Sequence, residues 1–190
     1  MSNATDQSVS AVDDDSPKIA LAGALYPSRE RELGVLRAFA DEVMADGWRV
    51  GGIVQEVLKG PDGETIGIDA IELDTGRRFA INRPTDSDRL NKTCSLNPSV
   101  LAEASGALDR AIRSHMDLVV VEKYGEQEQQ GDGLADEILR AVSEGIPTLV
   151  AVPNGVRDVW CEFTGDLGEE LSFDMDSFRD WWQRHQPERR

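Results

Sequence analysis

Two short runs of uninterrupted apolar residues, Leu118 to Val121 and Pro147 to Val152, bracket a segment from Leu134 to Glu144 that reads as a helix. Runs this short with no polar alternation predict strands buried on both faces. A helix between them supplies the crossover that a parallel pair needs. The same order of elements opens the chain. The run KIALAG, Lys18 to Gly23, meets a Tyr26-Pro27-Ser28 turn, and Leu33, Leu36, Phe39, Ala40 and Val43 then recur at helical spacing from a Ser28 N-cap to Asp46-Gly47. Strands and helices that alternate in this way predict an α/β fold of three layers, with a mainly parallel sheet covered on both faces.

One stretch breaks the alternation. From Trp48 to Asn82 the texture is of β type, and turns at Pro61-Asp62-Gly63 and Asp74-Thr75-Gly76 divide it into three runs, which predicts a hairpin or meander insertion. After a polar link, Pro98 to His115 carries Leu101, Ala104, Leu108 and Ile112 on one helical face. Beyond Trp160 the chain is rich in Phe and Trp, with a helix expected from Asp176 to His185 that docks on the core. Residues 1–16 are Ser, Asp and Ala-rich and are expected to form a disordered acidic tail, leaving 17–190 as one domain.

Composition narrows the partners. A net charge of -16 argues against nucleic acid and anionic membranes, which need clustered Lys and Arg, and leaves small molecules and proteins. The two cysteines, Cys94 and Cys161, have no CxxC or Cys/His ligand spacing, which suits a reducing cytoplasm and no structural zinc site. No apolar run reaches the roughly 18 residues of a membrane span.

Two places can carry chemistry. The turn after the first strand is where an α/β fold binds anions, through free backbone N–H groups and the helix dipole. Its sequence GALYPSRERE, Gly23 to Glu32, lacks GxxxxGK[ST] and so has no lysine for the β and γ phosphates. Gly23, Ser28, Arg29 and Arg31 remain as anion-binding candidates, since guanidinium forks pair with tetrahedral oxyanions. The second place is VVVEKYGEQE, Val119 to Glu128, where a strand ends in Glu122 and Lys123 and a loop carries Gly125 and Glu128 as further candidates for binding a nucleotide or anion. In a nucleotide hydrolase, carboxylates here hold magnesium and activate water, so Glu122 is the candidate metal ligand and Glu122 with Lys123 the candidate catalytic pair. Solvated acids on a polar loop, and solvated charges on a first helical turn, are the plain alternatives.

The stretch Val50 to Ile81, VGGIVQEVLKGPDGETIGIDAIELDTGRRFAI, resembles the hairpin of the THEP-type nucleoside-triphosphatases, with their G-F-x-T-x-E-V-R, G-x-x-x-G-F-D and L-D-x-G pattern. Val119 to Glu128 is similar to that family's Walker B segment, V-I-D-E-I-G-x-M-E. The resemblance covers about residues 18–153 and implies a P-loop nucleoside-triphosphatase-like fold and a magnesium-bound nucleotide. Three further segments, Cys94-Ser95-Leu96-Asn97-Pro98, Glu122 to Gly133 and Trp160 to Phe163, resemble a bacterial branch of the same superfamily often encoded beside molybdate-uptake genes. That branch implies a tetrahedral oxyanion as ligand, with Cys94 as a reactive thiol or soft ligand ahead of a helix. The departures are the missing Walker A lysine and the pair Glu122-Lys123 where the family has Asp-Glu.

Four functions follow as expectations: a degenerate P-loop module that binds a nucleotide or phosphate-like anion with weak or no hydrolysis; a slow nucleoside triphosphatase; an oxyanion-handling protein of molybdenum or tungsten metabolism; and a protein-interaction domain that has kept only the fold.

Overall fold

The computed structural model describes residues 19–27, 34–83 and 98–189. A seven-stranded sheet runs in the order β4-β3-β2-β5-β6-β1-β7. Its strands are β1 (Leu21–Tyr26), β2 (Val50–Lys59), β3 (Thr65–Glu72), β4 (Arg78–Asn82), β5 (Leu118–Val121), β6 (Thr148–Pro153) and β7 (Glu169–Ser172). The helices are α1 (Val35–Ala45), α2 (Pro98–Arg113), a single turn α3 (Glu126–Gln129), α4 (Ala135–Ser143), α5 (Arg157–Thr164) and α6 (Met175–His185). Strands β2, β5, β6, β1 and β7 are mutually parallel, while β3 and β4 are antiparallel additions on the β2 side.

The central strands are apolar on both sides because both sides are covered. Val119 and Val121 point into a core closed by α2, α4 and Trp160 of α5. Leu118 and Val120 point into a second core closed by α1 and α6. The three layers expected from the alternation are therefore present, and β5 spans the four residues read from the sequence. The meander is present too, with β2, β3 and β4 separated at the two predicted turns.

The first strand is displaced from its expected position. It runs from Leu21 to Tyr26 instead of closing at Gly23, so Gly23 lies inside β1, paired with Val150 of β6 and Glu170 of β7. Its lack of a side chain is explained across the sheet, since a Cβ there would lie 2.5 Å from Nε1 of the buried Trp160. The following helix begins at Val35 with Gly34 (φ 94°) at its N-cap position, in place of the Ser28 start. Two C-terminal elements were not foreseen, the helix α5 and the edge strand β7. The disordered tail expected over 1–16 lies outside the described residues.

Candidate functional site

The strand order defines the candidate edge. β1 sits between β6 and β7, so the chain leaves β1 toward β2 on one side, while the connection from β6 passes to β7 on the other. The crevice outside the carboxyl ends of strands at such a reversal is where open α/β sheets bind ligands. The register Gly23–Val150–Val121 runs straight across three strands. The ends of β1 and β5 are thus two strand spacings apart, about 10 Å, with β6 between them.

At the end of β5 the backbone splits its hydrogen bonds. Glu122 N–H donates to Ile53 O of β2 (3.0 Å), and Tyr124 N–H donates to Ala151 O of β6 (2.8 Å). Beyond this point β2 continues to Lys59, and among the described residues no strand pairs with it on the β5 side. The Gln55 N–H on that side donates instead to Glu122 Oε2 at 2.8 Å. Glu122 is only 2% exposed, so its carboxylate serves as a one-residue extension of the ladder in a dry setting. A hard cation would suit a carboxylate, and the Gln55 bond takes up only one of the lone-pair sites of Oε2. Among the described residues no group of three or more His, Cys, Asp or Glu is placed to hold a metal ion.

Glu128, 7% exposed, closes the loop on itself. Its Oε2 accepts from Gly125 N–H (2.7 Å) and its Oε1 from Leu134 N–H (3.1 Å). Gln129 Nε2 donates to Gly125 O at 3.0 Å. Gly133, at φ 64°, passes so close that a Cβ would lie 2.3 Å from Glu128 Oε1. An exposed acid on a polar loop and a buried clasp look alike in sequence. The glycine at 133, three residues after a Gln-Gln pair, was the available signal that the loop turns back tightly.

Lys123 differs from both glutamates. It is exposed, its stem lies along Gly125, and no carboxylate of a described residue pairs with it. Tyr124 then turns inward, 1% exposed, edge-on to Trp160 with ring centroids 5.2 Å apart, and also meets Phe163 at 5.3 Å. Burial, with the neighbouring Glu128 charge, pushes the Tyr124 phenol above its ordinary pKa and keeps it neutral. The Trp160 to Phe163 segment thus supports the β5 exit from below.

Gly23, Glu122, Lys123, Gly125 and Glu128 are described; Gly23 is three residues before the end of β1, and the others cluster at the end of β5. Ser28, Arg29, Arg31 and Cys94 lie outside the described residues. Cys161 is a half-buried thiol donating to Glu170 Oε1 at 3.4 Å, with its pKa pushed up chiefly by burial.

The class of fold is that of a nucleoside triphosphatase. The structure resembles the solution structure of a human cancer-related nucleoside triphosphatase, with a TM-score of 0.64 and 17% identity, over 90% of this chain and 99% of that one. This establishes the α/β P-loop-like architecture. The chain belongs to the family described as protein of unknown function (DUF2478), whose profile matches residues 21–181. It is also 37% identical over 163 residues to the molybdenum import ATP-binding protein ModC 2 of Bradyrhizobium diazoefficiens. That match covers 86% of this chain but 18% of the relative's length. Among the described residues no helix is long and apolar enough to cross a membrane.

Proposed function

We propose that the carboxyl edge of the sheet binds a nucleotide or a phosphate-like oxyanion, with weak or no hydrolysis. Lys123 carries this reading. In a chain of net charge -16, an exposed ammonium at a strand end beside the topological reversal has no carboxylate partner among the described residues. Anion binding would give that ammonium a counter-charge. Ser28, Arg29 and Arg31 are proposed to approach the same anion from the turn after β1, as the resemblance to nucleotide-binding relatives suggests.

Weak turnover is proposed because Gly23 to Glu32 offers no lysine to the transferring phosphoryl group, and phosphoryl transfer depends on such positioned charge. Magnesium would enter with a nucleotide's own phosphates. Glu122 contributes to such a site by keeping β5 and β2 in register beneath it. A slow triphosphatase using Lys123 for charge stabilisation is the limiting case of the same proposal.

A second reading, a molybdate-like oxyanion as the ligand, is favoured by one observation, the 37% identity to part of a protein named for molybdenum import. The two are separated by thermal unfolding in MgATP, MgGTP, phosphate, molybdate and tungstate, because a ligand that binds only the folded state raises the midpoint by mass action. A rise with nucleotide, lost in Lys123→Met, supports the main reading. A rise with molybdate or tungstate alone replaces it, and no rise with any of them refutes both.

A further inference from the structure

The amino edge of the sheet, opposite the proposed anion site, carries an open cleft of about 670 Å³. It forms where α1, α2 and α4 end, and its lining includes Trp48, Arg49, His115, Asp117, Glu144 and Arg189. Each of these helices closes on a left-handed residue, Gly47 (φ 89°), His115 (φ 45°) and Gly145 (φ 72°). Three helix C-termini, each a partial negative charge, therefore meet at one place.

Two guanidinium groups already sit there. Arg49 Nη2 donates to Ser114 O at 2.8 Å and Nη1 to His115 O at 3.5 Å, sealing the end of α2. Arg189 reaches back from beyond α6, its guanidinium 5.1 Å above the Trp48 ring and its Nη2 donating to Asp46 O at 3.3 Å. Trp48 is held edge-on by Trp182 at 5.4 Å, so the ring that receives Arg189 is fixed in place. The two arginines differ in grip. Arg49 has a short hydrogen bond, whereas Arg189 has one long hydrogen bond and a solvent-exposed cation–π contact, and such contacts are weak.

We propose that the Trp48–Asp46 seat is a guanidinium-binding site, filled at rest by the chain's own Arg189 and taken over by an arginine in a basic segment of a protein partner. Charge complementarity selects that partner. Asp117, Glu144 and Glu188 line the same cleft, and the net charge of -16 draws a basic segment toward the surface. The seat shows the chemistry it accepts, a guanidinium over an indole face with a carbonyl at its edge.

The test uses the full chain and a capped Gly-Arg-Gly peptide, followed through the side-chain resonances of the peptide's central residue. Arg189→Gln removes the internal competitor and should tighten peptide binding about threefold. Arg37→Gln, the same change of charge at an arginine paired with Asp41 near the start of α1, should leave it unchanged. Trp48→Leu added to Arg189→Gln, with folding confirmed by its thermal midpoint, should abolish the gain, and a citrulline peptide should not bind. Equal tightening in Arg189→Gln and Arg37→Gln would show only non-specific attraction and overturn the proposal. So would citrulline binding as well as arginine, or no binding to Arg189→Gln. None of these outcomes depends on the anion site.

Discussion

The two edges of the sheet settle the same problem with opposite charges. At the carboxyl edge, where strands end and leave N–H groups without a neighbour, carboxylates take them: Glu122 accepts from Gln55, and Glu128 from Gly125 and Leu134. At the amino edge, where helices end and leave carbonyls, arginines take them: Arg49 serves Ser114 and His115, and Arg189 serves Asp46. Charged residues at both edges are thus mostly engaged with the backbone, which is what helix and strand termini demand. The comparison teaches that an acid in a ligand-binding position need not face the ligand. What distinguishes a candidate ligand group is a charge that the backbone has not already claimed, and Lys123 is such a group.

The largest effect that would break this comparison belongs to Glu128→Ala, which leaves the buried Leu134 N–H and the partly buried Gly125 N–H without an acceptor. A loss of about 3 kcal/mol is expected in urea unfolding, with Glu128→Gln milder because one carbonyl oxygen still accepts. If Glu128→Ala unfolds at the wild-type midpoint, the clasp is an incidental contact. Next comes Glu122→Leu, which strands the Gln55 amide and should cost about 1–2 kcal/mol. Its sharper signature is local, a faster hydrogen exchange at Gln55 than at residues of β6. Arg49→Met, at an exposed helix end, should cost about 1 kcal/mol and become smaller at high salt. Smallest in stability is Lys123→Met, expected within about 0.5 kcal/mol of wild type. The same variant should lose the ligand-induced rise in midpoint, and a large stability change would mean that Lys123, too, is engaged in the fold.

Much of this architecture could be read from the residues, for reasons that are physical. Strands β5 and β6 announce themselves because they are buried on both faces, so nothing but their apolar character decides them. The meander is equally plain because Pro61-Asp62-Gly63 and Asp74-Thr75-Gly76 encode turns locally. The elements that escaped depend on distant partners. Gly23 reads as a strand end, but Trp160, far along the chain, requires a glycine in mid-strand. Strand β7 is only EELS, a polar edge strand whose Glu169 and Glu170 pair with Arg184 and Arg157, so it has no apolar signature to detect. That Glu122 and Lys123 follow directly on β5 was legible in the apolar run before them. The different commitments of Glu122, Lys123 and Glu128 were not, because burial and hydrogen bonding separate these side chains while spacing does not.

The place of β1 has a consequence for how the molecule is made. It is translated well before both its neighbours: Leu21 pairs with Thr148, and Ala22 with Glu169. An apolar strand thus waits while more than a hundred further residues are translated, and the contacts it must finally make are among the most distant in sequence. Such contacts form slowly, since a long loop closes before they gain anything. The half of the sheet built from the meander and β5 can assemble first, with β1 inserted last between β6 and β7. Until that insertion, the free edges of β6 and β1 are exposed to other chains, and aggregation during refolding should be most severe for variants that delay it.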